Sequence, residues 1–323
     1  MRLKTRVNLN EAQEKTYSVL AQNGFEPMEA GSFPFLYAYR ADNQLHELSA
    51  TTCAIWAFAY RAIYKMIHSC LTSVWFYRDG KVFFYVHRPQ SSEYSLQEIV
   101  DTLYRLAIES GLDSLQLWPV EERFLDDYKA VEGYDTEFEN NENMSEYKYR
   151  ILDIVKLEGG ANQNKRTILK KYFDRANIIS LKKSNFDICL DIEEEWCKTE
   201  DCDSCYFYGS GCAKDSLFQM LTIFDDNIHR GLLGFIDGKP VAYSIWDKIK
   251  PGYYVTYFAK SIVKNFTTYL YYVMAKDHMQ DGIFLNNGPD MGKEGLRNFK
   301  RHLSTYELCG KYLCTFRKQD VQC

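Results

Sequence analysis

Two stretches of the chain share one pattern of apolar and polar positions. Residues 74–86 read VWFYRDGKVFFYV, and residues 232–245 read LLGFIDGKPVAYSI. Each is an apolar run, an Asp-Gly pair and a second apolar run, which is a strong signal for a β-hairpin. Such hairpins are common, so coincidence is the alternative explanation. Because a helix and a strand then follow each hairpin in the same order, the pattern favours two similar α+β domains in tandem.

The helix after the first hairpin is the clearest predicted element. Ser95 and Glu98 form a capping box before it, and Gly111 follows its last apolar position. A strand is predicted over 114–120, and an earlier helix is predicted to stop at Gly24. The apolar positions at helical spacing are Leu96, Ile99, Val100, Leu103, Leu106 and Ala107.

The second repeat continues with a strand in GYYVTYFAK, a helix in NFTTYLYYVMAKDHMQD and a strand in GIFLNN. The polar segment 131–150 is predicted to be a linker. After it, ILDIVK is predicted to be a strand, followed by a Gly-Gly break and a basic helix. We therefore predict an N-terminal domain over 1–145 and a C-terminal domain over 146–323.

Composition narrows the class of protein. Hydrophobic residues make up 46% of the 323 residues and aromatic residues 15%, which excludes a disordered chain. The net charge of -5 argues against a protein that coats duplex nucleic acid, although a local basic site stays compatible with it. The sequence contains no run of eighteen apolar residues, so no membrane span is predicted. Its first residues lack the apolar segment of a signal peptide. The ten cysteines are interpreted as reduced thiols of a soluble, cytoplasmic protein.

Four of the cysteines cluster in WCKTEDCDSCYFYGSGC: Cys197, Cys202, Cys205 and Cys212. Four thiolates can hold a zinc ion, but the cluster lacks a second CxxC pair and is rich in acidic residues. Free cysteines in a polar loop are the preferred interpretation, and no metal is predicted. The chain also lacks HExxH, GxSxG, Walker A and GxGxxG motifs, which argues against metalloprotease, hydrolase, P-loop and dinucleotide chemistry.

Two segments carry concentrated positive charge. The helix in ANQNKRTILKKYFDRA presents Lys165 and Arg166, followed by Lys170, Lys171 and Arg175. Phosphate binding and a solvated helix face are both open interpretations of that charge.

The second segment, NNGPDMGKEGLRNFK, ends a strand at Gly288 and begins a helix that bears Arg297 and Lys300. A loop at a strand end is a common ligand site, and Gly292 would let the backbone approach a ligand closely. Helix amides and the two cations would then attract an anion. Asp290 is open to a second interpretation, as the cap of that helix.

Four segments together resemble the DUF2156 family, which includes the C-terminal catalytic domain of phosphatidylglycerol lysyltransferase. They are YFAK with Lys260, the segment 286–300, NKRTILKKYF and HELSATTCAIW. The family pattern is roughly Asn-Arg-Glu-x-Asp-x-Gly-x-x-Gly-Leu-Arg-x-x-Lys. The chain departs from it at Asn287, where the family has Arg, and at Gly288, where the family has Glu. It also has Ala259 before Lys260, where the family often has Glu. It keeps Asn286, Asp290, Gly292, Gly295, Leu296, Arg297 and Lys300.

The resemblance implies two tandem GNAT-like (acyl-CoA N-acyltransferase-like) domains, with mixed sheets flanked by helices. It implies transfer of an aminoacyl group from aminoacyl-tRNA to a hydroxyl or amine acceptor, with no bound cofactor. The acceptor would be a small amine, a peptide or a lipid headgroup, and tRNA would be a partner. Asp290 and Arg297 are the implied catalytic residues, Asp290 orienting the acceptor. The implied substrate-binding residues are Lys260, Asn286, Asn287, Gly292, Lys300, Lys165 and Arg166.

Two other functions stay open. An acetyl-CoA N-acetyltransferase needs a glycine-bearing loop at a helix start to hold the pyrophosphate, and AKSIVKNFTTYLYY has no glycine, so acetyl-CoA fits less well. A non-catalytic binding protein that retains the fold is the third hypothesis, suggested by residues 259, 287 and 288.

Overall fold

The computed structural model describes residues 6–39, 41–90, 93–198 and 212–319. These residues form fourteen strands and eleven α-helices. The strands are β1 Glu26–Pro27, β2 Ile63–Ile67, β3 Cys70–Phe76, β4 Val82–His87, β5 Leu115–Glu121, β6 Tyr134–Asn140, β7 Glu146–Arg150, β8 Ala176–Ser180, β9 His229–Ile236, β10 Lys239–Lys250, β11 Tyr253–Ser261, β12 Phe284–Pro289, β13 Tyr306–Cys309 and β14 Lys311–Lys318. The helices are α1 Glu11–Gln22, α2 Phe33–Tyr39, α3 Ala50–Trp56, α4 Leu96–Glu109, α5 Leu125–Lys129, α6 Ile151–Lys156, α7 Gln163–Phe173, α8 Asp187–Cys197, α9 Ala213–Ile223, α10 Phe266–Val273 and α11 Glu294–Leu303.

The chain divides into two compact units, each with one seven-stranded mixed sheet. The first unit takes residues 1–142, 206–223 and 310–323, and the second takes 143–205 and 224–309. The strand order is β1-β2-β3-β4-β5-β14-β6 in the first sheet and β13-β7-β12-β11-β10-β9-β8 in the second. The predicted α+β class, with mixed sheets flanked by helices, is confirmed.

The two sheets share one order of positions. Read from β8, the second sheet runs β8-β9-β10-β11-β12-β7-β13, so β7 holds the position that β14 holds in the first sheet. The predicted division near residue 145 had assigned 310–323 to the second domain. Strand β14 instead pairs antiparallel with β5 and β6, because its apolar Cys314 and Phe316 complete the core of the first unit.

Local signals explain the helices that were predicted best. Helix α4 begins after Ser95, whose Oγ accepts a hydrogen bond from the Glu98 N–H at 3.2 Å. It ends before Gly111, which has a positive φ of 92°. The predicted apolar face is buried at Ile99, Val100, Leu103, Leu106 and Ala107. Asn10 caps α1 in the same way, so both helix starts follow from capping chemistry.

Both predicted hairpins form, but the repeat has a different register from the one predicted. The Asp237-Gly238 turn joins β9 to β10 with two positive φ angles, 51° and 77°. The Asp79-Gly80 turn joins β3 to β4, which occupy the sheet positions of β10 and β11. The predicted repeat therefore matched two hairpins whose positions in their sheets differ by one strand. The hairpin that corresponds to β3–β4 is β10–β11, and its turn at Gly252 has no Asp-Gly pair.

Two local predictions in the middle of the chain were wrong. The segment ILDIVK forms helix α6, not a strand, and it buries Ile151 and Ile154 at helical spacing. The predicted linker 131–150 contains strands β6 and β7. Strand β6 lies at the edge of its sheet and has several exposed positions, which accounts for its charged residues. Strand β7 pairs on both sides and buries its Glu146.

Each unit contains one pair of neighbouring parallel strands that soon separates. In the second unit, β11 and β12 pair from Tyr253–Phe284 to Val255–Asn286, and β11 then continues to Ser261. In the first unit, the parallel pairing of β4 and β5 is limited to Phe84 and Leu117. Separation of two adjacent strands leaves room between their carboxyl ends, where ligands bind in many sheets that contain parallel strands.

Candidate functional site

Asp290 lies directly after β12 and is the most densely bonded of the predicted site residues. Its Oδ2 accepts hydrogen bonds from Arg297 Nε and Tyr147 Oη, each at 2.8 Å. Its Oδ1 accepts from Arg297 Nη2 at 2.9 Å and from the Gly292 N–H at 2.8 Å. The Arg297 guanidinium also reaches Asn143 Oδ1 at 2.6 Å. The fold thus brings Asp290, Gly292 and Arg297 into contact after β12, and their role in a substrate site stays a prediction.

The ionisation of Asp290 follows from these contacts. Burial raises the pKa of the Asp290 carboxyl, but hydrogen bonds from Arg297, Tyr147 and the Gly292 N–H outweigh it, so the pKa lies below its ordinary value. A carboxylate with both oxygens engaged and a low pKa is poorly suited to accept a proton at neutral pH. Asp290 also does not cap α11, whose N-cap is Lys293.

Gly292 shapes the loop between β12 and α11. Its φ is 73°, in the left-handed region that favours glycine. A Cβ there would lie 3.4 Å from Asn143 Cγ, so the backbone approaches the side chain that holds Arg297. The close approach predicted for Gly292 therefore serves the site's own residues.

Lys300 is buried and bonded to the backbone of the strand end. Its Nζ donates to the carbonyl oxygens of Asn287, Gly288 and Pro289, the last two at 2.9 Å. Tyr149 Oη donates to the Lys300 carbonyl at 2.8 Å. The ammonium therefore fixes the end of β12, and its predicted contact with an anion stays a prediction.

The two asparagines that end β12 are also bonded within the second unit. Asn286 Nδ2 donates to Glu146 Oε2 at 2.5 Å, and its Oδ1 accepts from the Gly288 N–H at 2.8 Å. Asn287 Oδ1 accepts from Tyr271 Oη at 2.5 Å. Asn286 is fully buried and Asn287 nearly so, which makes both part of the frame around the strand end.

Lys260 lies at the other carboxyl end, near the end of β11. Its Nζ donates to Glu193 Oε1 at 2.5 Å and lies 3.8 Å from the centre of the Trp196 ring. Tyr243, the cross-strand neighbour of Lys260, donates to Glu193 Oε2 at 2.5 Å. Burial and the Glu193 charge raise the pKa of Tyr243 well above its ordinary value, so the hydroxyl keeps its proton. Lys260 is thus a cation held by a fully buried carboxylate and an indole face.

The two predicted binding residues of α7 are engaged locally. Lys165 Nζ donates to Asn162 Oδ1 at 2.8 Å, and burial lowers the pKa of Lys165. Arg166 Nη1 donates to the carbonyls of Leu157 and Gly159, at 2.6 and 2.8 Å, which closes the end of α6. Lys170 and Lys171, further along α7, are exposed. The exposed positive charge of α7 therefore lies at the later pair.

The cysteine cluster falls partly outside the described residues, which exclude Cys202 and Cys205. Cys197 lies at the end of α8, with Sγ 3.8 Å from Glu193 Oε1, and Cys212 precedes α9. Within the described ranges, no group of three or more His, Cys, Asp or Glu side chains is arranged to hold a metal ion.

The match to a family is extensive. The family described as phosphatidylglycerol lysyltransferase, C-terminal, matches residues 40–315. The chain belongs to this family. No curated protein matches the chain.

Solved structures agree with the family in fold. A conserved protein of unknown function from Bacteroides thetaiotaomicron is 20% identical, with a TM-score of 0.80 over 91% of this chain and 99% of that one. L-PGS from Bacillus licheniformis is 13% identical, with a TM-score of 0.64 over 92% and 94%. A C-terminal domain (DUF2156) from Agrobacterium fabrum is 12% identical, with a TM-score of 0.60 over 88% and 92%. The predicted fold of two tandem GNAT-like units is confirmed.

Among the helices in the described ranges, none is both long enough and apolar enough to cross a bilayer.

Sequence analysis missed the residues that hold the two cations in place. Tyr147 and Asn143 lie far from Asp290 and Arg297 in the chain, and Glu193 lies 67 residues from Lys260. A signal for Glu193 did exist. Cys189, Ile192 and Glu193 are the buried residues of α8, so one acidic residue occupies the apolar face of an amphipathic helix.

Proposed function

We propose that this protein transfers an aminoacyl group from an aminoacyl-tRNA to an amine or hydroxyl acceptor. One observation carries the proposal. The neighbouring parallel strands β11 and β12 separate after Val255 and Asn286. Near the end of β11, and on the helix that follows β12, lies a partly exposed cation held by a buried carboxylate. These cations are Lys260, held by Glu193, and Arg297, held by Asp290. Fixed cations at such a position suit a substrate that carries phosphates and develops an oxyanion.

The reaction balances without a bound cofactor. The acceptor nitrogen or oxygen attacks the ester carbonyl carbon, whose oxygen becomes an oxyanion. The bond to the terminal ribose oxygen of the tRNA then breaks, and the proton lost by the acceptor passes to that oxygen. Lys260 and Arg297 are assigned to the oxyanion and to the phosphates beside the ester. Preorganised charges of this kind lower the barrier because they need no rearrangement during the reaction.

Asp290 is assigned a positioning role in this proposal. Its two oxygens engage both Arg297 nitrogens that face it, so it fixes the plane of the guanidinium. Its pKa lies below its ordinary value, so the carboxylate is charged at neutral pH. It therefore orients Arg297 toward the substrate instead of exchanging a proton with the acceptor.

The exposed cations of α7 are assigned to the tRNA backbone. Lys170 and Lys171 are exposed, whereas Lys165 and Arg166 bond to neighbouring groups. Loss of one phosphate contact should weaken tRNA binding and reduce its dependence on salt by about one counterion. Lys170→Gln should therefore weaken tRNA binding more than Arg166→Gln does.

The alternative donor is acetyl-CoA, and the loop before α10 is poorly suited to bind it. A diphosphate would need free amide groups there. The N–H groups of Ile262, Val263 and Phe266 already donate to Val241 O, Ser261 Oγ and Val263 O, at 3.0 to 3.2 Å. The loop also lacks a glycine that would let it reshape easily.

The decisive experiment gives the purified full chain separate tRNAs that carry radiolabelled amino acids. Acceptors are offered in parallel: phosphatidylglycerol vesicles, small primary amines and a short peptide. We expect label to leave one class of tRNA and appear on one class of acceptor. Acetylation of the same acceptors by labelled acetyl-CoA, with no use of any charged tRNA, would replace this proposal with the alternative.

Variants distinguish chemistry from folding. Arg297→Lys keeps the charge but loses the two-point contact with Asp290, and we expect transfer to fall about tenfold or more. Arg317→Lys, at an exposed ion pair with Glu137 in the first unit, is the matched control and should keep full activity. Binding of charged tRNA without transfer to any acceptor, unchanged by Arg297→Lys, would identify a binding protein that retains the fold.

A further inference from the structure

A cavity lies within the second unit, and its lining includes no residue of β11 or β12. It has a volume of about 270 Å³ and opens between the end of β8, the start of β9 and the π-helical turn Met274–His278. Its volume is near the lower limit of small-molecule pockets, so it suits a group of a few heavy atoms. The residues that give it chemical character are Lys182, Asp226, His229, Arg230, Trp246 and His278.

A glycine creates one wall of this cavity. A Cβ on Gly231 would lie 2.6 Å from Leu181 Cδ2 and 2.7 Å from the Ser244 carbonyl, which are impossible contacts. Only glycine therefore allows the end of β8 to lie against β9 at this point, where the Leu181 N–H donates to the Gly231 carbonyl at 2.8 Å. The wall is a fixed part of the sheet and not a chance gap between side chains.

Two cations border the mouth of the cavity without a carboxylate partner. Arg230 Nη1 donates to the carbonyls of Asp226 and His229, and neither Arg230 nor Lys182 forms a salt bridge within the described parts of the chain. Asp226 is the one acidic residue of the lining and accepts from the Lys183 N–H at 3.3 Å. Lys182, Arg230 and Asp226 together leave one net positive charge at the mouth.

The floor of the cavity is neutral and can donate hydrogen bonds. Burial lowers the pKa of His229 to about 4, so its ring is uncharged at neutral pH. The Asp225 N–H donates to His229 Nδ1 at 3.1 Å, which places the ring proton on Nε2. Trp246 is buried, and its Nε1–H finds no acceptor among the residues that the structure describes. A buried donor without an acceptor is costly, so an incoming oxygen atom would be stabilised there.

One exposed ring of the cavity lining lies against the indole. His278 packs edge-on against Trp246, with ring centres 6.0 Å apart, and it stands on the π-helical turn. Burial lowers the pKa of His278 and Asp277 opposes this shift. The His278 ring is exposed, so the buried indole lies beside a side chain that faces solvent. π-Helical turns of this kind occur often at functional sites.

We propose that this cavity binds a phosphate group through Arg230, Lys182 and the Trp246 N–H. Three donors on three separate elements suit a tetrahedral anion with at least three accepting oxygens better than a carboxylate, which has two. The phosphate belongs either to a small soluble monoester or to a lipid headgroup, which present the same oxygens to the site. This proposal does not depend on the reaction proposed above.

The test follows the indole N–H signals of the 15N-labelled full chain by NMR. The chain has five tryptophans, and Trp246→Phe assigns the signal of Trp246 by its loss. Inorganic phosphate, glycerol 3-phosphate and acetate are titrated separately, and vesicles with a phosphate-bearing headgroup form a fourth arm. We expect the Trp246 signal to move saturably with at least one phosphate ligand and not with acetate. Saturation by the soluble ligands identifies a soluble monoester, and a response to vesicles alone identifies a headgroup.

Variants make the result decisive. Arg230→Gln, a change at an exposed side chain, should weaken phosphate binding about tenfold or more. Lys239→Gln at the start of β10 removes an exposed cation elsewhere in the same unit and should leave it unchanged. An unmoved Trp246 signal with every phosphate ligand, a stronger response to acetate, or equal affinity in Arg230→Gln and Lys239→Gln would each overturn the proposal. If Trp246→Phe fails to fold, replacement of each of the other four tryptophans in turn assigns the Trp246 signal by elimination.

Discussion

Each unit contains a buried lysine–glutamate pair beside an indole, and the two pairs expose opposite charges to solvent. In the first unit, Lys311 Nζ lies 3.0 Å from Glu47 Oε1 and 5.8 Å from the Trp118 ring centre. The Lys311 side chain is fully buried, and 17% of the Glu47 side chain is exposed.

In the second unit, Glu193 is fully buried and 16% of the Lys260 side chain is exposed. The first unit thus shows its carboxylate to solvent, while the second shows its ammonium. Because an ion pair can offer a ligand only the charge that reaches the surface, only the second pair can attract an anion.

The largest expected effect concerns the buried ammonium. Glu47→Gln removes the carboxylate from the fully buried Lys311, and we expect the free energy of unfolding to fall by about 3 kcal/mol. Chemical denaturation monitored by fluorescence measures this change. The matched control is Glu137→Gln, which breaks the exposed pair with Arg317 and should cost less than about 1 kcal/mol. Equal losses in the two variants would show that burial of Lys311 has no energetic consequence.

The next effect separates function from stability by making the same change in both pairs. Lys260→Arg keeps the charge but places a planar guanidinium where an ammonium lies over Trp196, and we expect transfer to fall about tenfold or more. Lys311→Arg overfills a closed site and should cost about 1–3 kcal/mol of stability, with the rate per folded molecule unchanged. Aminoacyl transfer and denaturation are measured on both. A rate loss in Lys311→Arg as large as that in Lys260→Arg would contradict the distinction.

The pair of Asp290 and Arg297 resembles the pair of Glu193 and Lys260, because in both a buried carboxylate holds a more exposed cation. Only 3% of the Asp290 side chain is exposed, against 30% of Arg297. Because the pKa of Asp290 is lower in the folded chain, its ionisation stabilises the fold above the ordinary pKa of about 4 and ceases to do so as the pH falls through the folded value.

We therefore expect Asp290→Asn to cost about 1–2 kcal/mol at pH 7 and progressively less below pH 4. Urea denaturation of both proteins across this pH range measures the difference. A cost that stays constant from pH 7 to pH 3 would show that the charge of Asp290 makes no contribution to stability.

The smallest expected effect concerns the basic helix α7. Arg166→Ala removes the guanidinium that closes α6 at Leu157 and Gly159, and it should lower the free energy of unfolding by about 1 kcal/mol. Lys170→Ala, at an exposed position on the same helix, should leave stability unchanged. Thermal denaturation compares the two. A greater loss in Lys170→Ala would reverse the roles assigned to these cations.

Elements with local signals could be predicted from the sequence, and their long-range partners could not. The Ser95 cap, the apolar face of α4 and the Asp237-Gly238 turn all depend on residues within a few positions of one another. The helical fold of ILDIVK was missed because a short apolar run fits either a buried strand or a helix. Nor could apolar alternation in β14 indicate which of two sheets it joins.

The site divides in the same way. The spacing of Asp290, Gly292 and Arg297 indicated a common loop, and these residues do contact one another. The same spacing suggested that Arg297 and Lys300 share one target, whereas Lys300 bonds to the backbone of the strand end. Glu193 supports Lys260 from another element, so only the folded chain shows that the two residues form one feature.

The place of β14 has a consequence for how the chain is made. The first sheet needs a strand between β5 and β6, and the ribosome delivers that strand only after the whole second unit has been synthesised. During translation, β5 and β6 thus each present an unfilled edge, which invites pairing with other chains. The second sheet receives its own last strand, β13, only just before β14 is made. Both sheets are therefore completed at the end of synthesis, although the first unit is begun long before the second.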